Sequence, residues 1–222
     1  MKLASLTSGG KDSILAIHKA LDAGHTVPVM ITAVPENTES YMFHSANLAA
    51  VPVMAERAGM LYVSVYTKGE KEAELDDLMY GIKNVRDTYG IEGIVTGAIA
   101  SEYQRSRIAA ICDALNLALY APLWGMSPDD VIREVSQLLD ARIVVTAADG
   151  LGENVLGKRI DDKLILVLKS VEKKRRINIA GEGGEYESLV FNAPFFSSPV
   201  LACGMKIECT AMTGKVTYER FW

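Results

Sequence analysis

Short runs of apolar residues alternate with longer amphipathic stretches through the first half of the chain. "KLASL" (2–6), "VPVMITAV" (27–34), "LYVSVY" (61–66) and "EGIVTGAI" (92–99) carry apolar residues at most positions. A strand that is apolar on both faces must be covered on both, as in a parallel sheet lying between helices. Between these runs the pattern predicts helices at roughly 12–23, 46–58, 70–89 and 101–117, each long enough for a right-handed crossover. The expected architecture is α/β, with a doubly wound, mainly parallel sheet.

The pattern changes near "APLWGMSPD" (121–129). Ser127 followed by Pro128 reads as a helix N-cap and first helical position for "MSPDDVIREVSQLL". This suggests two parts, 1–125 and 126–222, the second a smaller α/β domain. It holds a strand at 141–148, a loop, a helix at roughly 161–175, the loop "GEGGEYES" (181–188), and β-rich segments ending in "KIECTA" and "KVTYERF". No internal repeat or low-complexity linker separates the parts, so the second is expected to pack on the first.

Composition narrows the class. The chain has 222 residues, 49% hydrophobic and 23% charged, enough to bury a sizeable core. A net charge of -5 disfavours broad contact with nucleic acid or anionic lipid. Cys112, Cys203 and Cys209 show no C-x-x-C spacing, which argues against a disulfide framework or zinc site and for buried, reduced thiols. The N-terminus enters a strand pattern at once, without a signal-peptide profile, and no stretch is apolar and long enough to span a bilayer. A cytoplasmic protein is expected, and a homo-oligomer is compatible with this composition.

The chemistry centres on "TSGGKDS" (7–13), where the first strand turns into the first helix. A loop at the carboxyl edge of such a sheet is where these folds bind ligands. Glycine lets backbone approach an anion, and the helix start offers N–H groups and a positive dipole end. Phosphate is the guest this favours, and the plain alternative is a glycine-rich turn closed by a Ser or Asp cap. The Walker A pattern fails because Ser5 and Asp12 occupy two of its required positions, and G-x-G-x-x-G is absent.

"SGGKDS" resembles the PP-loop of N-type ATP pyrophosphatases, which cleave ATP between the α and β phosphates to form an adenylate. That resemblance implies that Ser8, Gly9, Gly10 and Ser13 cradle pyrophosphate. It makes Lys11 and Asp12 the catalytic pair, Lys11 neutralising charge and Asp12 helping to hold Mg2+. "ENTESYMFHSAN" (36–47), "TGAIASEYQRSRI" (96–108), "APLWG" (121–125), "LGKRID" (157–162) and "GEGGEYES", in this order over essentially the whole chain, resemble the diphthine-ammonia ligase family. The resemblance implies ATP-dependent amidation of the diphthine carboxylate on translation elongation factor 2, with ammonium as donor and AMP and pyrophosphate as products. A tRNA-thiolating PP-loop enzyme is the rival, but it calls for a reactive cysteine pair or iron-sulfur cluster and an RNA-binding appendage. A non-catalytic ATP sensor is the other, and there a degraded loop is expected.

Several further residues are candidates. Gly97 ends a buried strand and could let adenosine lie against backbone. Tyr103, Gln104, Arg105 and Arg107 open a helix where cations oppose the dipole, which favours anion binding over a plain solvated face. Ser40, Tyr41 and His44 follow the second strand and either line the pocket or form a capped loop. Glu182, Glu185 and Glu187 lie close enough to repel one another unless a cation meets them. Diphthine, as the resemblance implies, carries a trimethylammonium group, which these carboxylates and the Tyr186 ring could recognise; the alternative is a simple acidic turn. "EKKRR" (172–176) reads as a solvated helix end aided by the dipole.

Overall fold

The computed structural model describes residues 1–35, 47–67, 73–210 and 213–222. Ser40, Tyr41 and His44 lie outside the described residues. Five strands form the central sheet: β1 (Lys2–Leu6), β2 (Thr26–Pro35), β3 (Leu61–Thr67), β4 (Gly93–Val95) and β5 (Ala118–Tyr120). All pair in parallel in the order β3-β2-β1-β4-β5. The chain runs outward from β1 to β3, then crosses back to β4 on the other side of β1. The direction of winding therefore reverses between β1 and β4, where a crevice opens at the strands' carboxyl ends.

Helices cover both faces, and the strands' two-residue period sorts their side chains between them. Leu3, Met30 and Val95 pack with α1 (Lys11–Asp22) and α2 (Ala50–Ala58). Their neighbours Ala4, Val29, Ile31 and Ile94 pack with α3 (Ala73–Tyr89) and α4 (Glu102–Ala114) on the other face. The doubly wound α/β expectation is met.

The second half forms a four-stranded antiparallel sheet with a two-stranded one beside it. The larger joins β6 (Asp140–Thr146), β7 (Tyr186–Asn192), β9 (Lys206–Cys209) and β10 (Gly214–Thr217) in the order β7-β6-β10-β9, and the smaller pairs β8 (Ala202–Cys203) with β11 (Arg220–Phe221). Helix α5 (Pro128–Leu138) starts as the sequence predicts: Ser127 Oγ accepts from the Asp130 amide at 3.1 Å, with Pro128 in the first turn. In α6 (Asp162–Arg175), the Asp161 carboxylate accepts from the Leu164 amide at 2.9 Å.

Differences from the sequence pattern have local causes. The run predicted as strand 92–99 stops pairing at Val95, and the helix expected over 101–117 ends at Ala114, before the short strand β5. "GEGGEYES" is only half loop, because β7 begins at Tyr186. Cys112 is buried, and burial pushes its thiol up to about 11. Cys203 and Cys209 are exposed, against expectation, because they sit on the short strand β8 and the edge strand β9. No helix among the described residues is long and apolar enough to cross a membrane.

Helix α1 lies between the two halves. Ile14, Leu15, Ala16 and Ile17 are all fully buried, more than one helical stripe can hide. The reason is that β1 and β4 contact one side of α1 while α5 and β7 contact it as well, so one apolar cluster runs from Leu3 through Leu15 to Val190. Leu15→Ala is expected to lower unfolding free energy by about 2–5 kcal/mol in a urea titration. Because the cluster is shared, loss of fluorescence and of helical signal should still coincide in one transition.

Candidate active site

The loop between β1 and α1 is closed largely by its own groups. Gly9 has φ +79°, a left-handed conformation that glycine adopts without strain. The Gly9 amide donates to Thr7 Oγ1 at 3.1 Å, Thr7 Oγ1 meets Ser13 Oγ at 2.8 Å, and Ser13 Oγ donates to the Gly10 carbonyl at 3.0 Å. Gly10 caps α1 without a side chain, so the first-turn amides must find partners outside the helix. One partner comes from the second sheet: the Lys11 amide donates to Ser188 Oγ at 3.0 Å. Two residues along β7, the Val190 amide donates to the Gly9 carbonyl at 3.0 Å.

The charged groups of the loop are packed tightly. Lys11 is buried, with Nζ 2.7 Å from Asp12 Oδ2 and 5.4 Å from the centre of the Tyr186 ring. Asp12 Oδ1 is buried without a hydrogen-bond partner. Gly97, just after β4, lies against this turn: a Cβ there would stand 2.5 Å from the Asp12 carbonyl carbon and 2.6 Å from the Ser13 nitrogen. A bare backbone at position 97 is therefore required by packing against α1 alone, one residue after the Thr96 amide makes a last bond to the Tyr120 carbonyl at 3.0 Å.

The acidic loop faces the same place. Glu182 Oε2 accepts from the Ala100 amide at 3.3 Å. Burial, followed by repulsion from Asp12, raises the Glu182 carboxyl above its ordinary value. Glu185 turns inward, its two oxygens accepting from the amides of Asn178 at 2.7 Å and Gly183 at 2.8 Å. The Tyr186 hydroxyl donates to the Ile179 carbonyl at 2.6 Å, and burial of the ring, with Asp12, Glu185 and Glu182 nearby, pushes its pKa well up.

These elements enclose a cleft of about 320 Å³ at the point where winding reverses. Ser8, Gly10, Lys11, Asp12 and Ser13 form one wall, and Glu182, Glu187 and Ser188 face the same space. Ile31, Ala33, Ala98 and Ile108 supply an apolar part. Thus the cleft combines a helix start, whose amides suit an anion, with an apolar part and a carboxylate side.

A family model described as the diphthamide synthase N-terminal domain matches residues 1–119, and one described as the diphthamide synthase C-terminal domain matches 127–221. The chain belongs to the diphthamide synthase family. Among similar curated proteins, the diphthine–ammonia ligase of Homo sapiens is 34% identical over 244 aligned residues, spanning 100% of this chain and 91% of that protein. The one from Bos taurus is 33% identical with the same coverage, and the one from Schizosaccharomyces pombe is 31% identical over 98% of this chain but 38% of its own length.

The structure sorts the residues singled out by sequence. Ser8, Gly10, Lys11, Asp12, Ser13, Gly97, Gln104, Glu182, Tyr186 and Glu187 line the cleft, with Gly9 in the loop behind them. Tyr103, Arg105 and Arg107 are not among its lining residues. The α4 N-cap Ser101 and, on the helix, Gln104 and Ile108 share the face toward the cleft by their spacing. Arg105 instead stacks over Trp124 at 4.6 Å and approaches Glu102 at 3.6 Å, while Arg107 stacks over Tyr103 at 3.5 Å.

Two of the acidic-loop candidates have partners within the chain: the Glu185 carboxylate accepts from the Asn178 and Gly183 amides, and Tyr186 is buried with Lys11 Nζ over its ring. Thr7, Ser101, Ile31, Ala33, Ile108 and Ser188 also line the cleft without having been singled out. Ser188 closes the quoted "GEGGEYES" motif, and the apolar run Leu189–Phe191 that follows it was the available signal that this stretch is a strand.

The raised Glu182 pKa sets a sign for stability. Folding disfavours its ionised form, so the penalty is absent below the ordinary glutamate value of 4.5 and grows as pH rises through the folded value. Glu182→Gln can still accept from Ala100 without the charge. It should melt higher than the parent at neutral pH, with the gap closing below about pH 4.5 in thermal scans.

Proposed function

We propose that the chain is a diphthine–ammonia ligase, which uses ATP to turn the diphthine carboxylate of elongation factor 2 into an amide. The observation that carries this is the meeting, in one cleft, of the "SGGKDS" loop with the carboxylates of the second half, in a family whose curated relatives bear that name. Residues 1–125 activate ATP, and residues 126–222 contribute recognition of the modified protein. The reaction belongs in the cytoplasm, where the acceptor is met.

The chemistry follows from the groups present. A carboxylate resists attack by ammonia, because it is anionic and would have to expel oxide. Its oxygen therefore attacks the α-phosphorus of ATP, the bond to the β-phosphate breaks, and pyrophosphate leaves. Ammonia then attacks the acyl carbon, loses a proton, and AMP departs with the former acyl C–O bonding pair. Charge builds on the phosphates in the first step, so fixed amides of the loop and the Lys11 ammonium stabilise it. The apolar part of the cleft, lined by Ile31, Ala33 and Ile108, is the part suited by its chemistry to the base.

Mg2+ suits this site. Asp12 Oδ1 is an oxygen buried without a donor, and Mg2+ is typically bound by one or two carboxylates with substrate phosphates and water. Asp12 would hold it, and the ion would supply further neutralisation of phosphate charge. Glu182 and Glu187 face the cleft from the second half and are the carboxylates suited to the trimethylammonium of diphthine. A cation arriving there relieves the repulsion between Glu182 and Asp12.

The deciding experiment supplies ATP, ammonium and elongation factor 2 bearing diphthine, and follows AMP together with the acceptor's mass. AMP should appear one for one with amide and only when the acceptor is present. Release of orthophosphate alone, or AMP formation that ignores the acceptor, would sink the proposal. Lys11→Ala should lower kcat/KM for ATP by about a hundredfold or more, with the folded state verified by circular dichroism. Turnover at the parent rate would remove Lys11 from its role.

A further inference from the structure

We infer that Ser188, contributed by the second sheet, is a phosphate-binding residue of the nucleotide site, its hydroxyl donating to the β or γ phosphate of ATP. The inference rests on the reading of the cleft as an ATP site. Helix α1 begins at a glycine that has no side chain to occupy the capping position, and the hydroxyl that meets its first amide comes from 177 residues away at 3.0 Å. A serine oxygen that accepts a hydrogen bond keeps its own hydrogen to donate. Here that oxygen is polarised by the Lys11 amide and the positive end of α1, which strengthens the O–H as a donor to an anion.

Its position is fixed from both directions. The Val190 amide ties β7 to the Gly9 carbonyl at 3.0 Å, and the Ser188 carbonyl lies 3.4 Å from where a Cβ on Gly10 would stand. Ser188 also lines the same cleft as Ser8, Gly10 and Lys11. The phosphate cradle is thus completed by a group outside the glycine-rich loop, and the second half takes part in holding the nucleotide as well as the acceptor.

The test compares Ser188→Thr, which keeps the hydroxyl, with Ser188→Val, which matches threonine in shape without it. Binding of ATP, pyrophosphate and AMP to the full chain is measured by titration calorimetry. Ser188→Val should weaken ATP and pyrophosphate by about tenfold or more and leave AMP unchanged, while Ser188→Thr stays close to the parent. Ser188→Ala, which adds no bulk, should match Ser188→Val and keeps the comparison valid if the larger side chains disturb β7. Equal weakening of AMP would make Ser188 a merely structural cap and overturn the inference, as would unchanged ATP affinity in Ser188→Ala. No acceptor protein enters these measurements. A hydroxyl-dependent ATP affinity in a chain that fails to amidate diphthine would therefore support this inference while overturning the ligase reading.

Discussion

The first turn of α1 is held from two sides, and the active site depends on that grip. Thr7 and Ser13 close the loop from within, and Ser188 and Val190 fasten it from the antiparallel sheet. A loop with consecutive glycines is costly to order, because glycine loses more backbone freedom than any other residue. Here the ordering belongs to folding. The amides are already fixed when an anion arrives, and little of the binding energy is diverted to arranging them.

The cleft holds groups of both signs. Backbone amides and the Lys11 ammonium favour a negative group, and Glu182 and Glu187 a positive one, while Glu185 accepts from the Asn178 and Gly183 amides. In the proposed reaction these opposite preferences bring a carboxylate and a phosphate together although both are anions. Lys11 is packed between Asp12 and Tyr186.

Much of the fold could be read from the chain because its causes are local. Alternation along β1, β2 and β4 distributes Leu3 and Ala4, or Met30 and Ile31, to opposite cores, and Ser127 with Pro128 marks the start of α5. What escaped has causes that are distant in sequence. The close approach of Gly97 to Asp12 and Ser13, just past the end of β4, is visible only once α1 is in place. Three residues are too few for β5 to show a period against the helix before it. In the site, the glycine-rich loop was legible as a motif, whereas the inward turn of Glu185 and the burial of Tyr186 depend on Asn178, Ile179 and Gly183. Arg105 and Arg107 suggested anion binding by charge, yet their positions on α4 direct them to Trp124 and Tyr103.

The burial of α1 on every side has a consequence for motion. A helix at a protein's surface can fray at its ends while the rest of the molecule stays intact, and many nucleotide loops open in that way. Here Ile14 to Ile17 are sealed between two sheets, so the part of α1 that follows the loop is anchored to both halves. Slow exchange of amide hydrogens in this segment would then track whole-molecule opening.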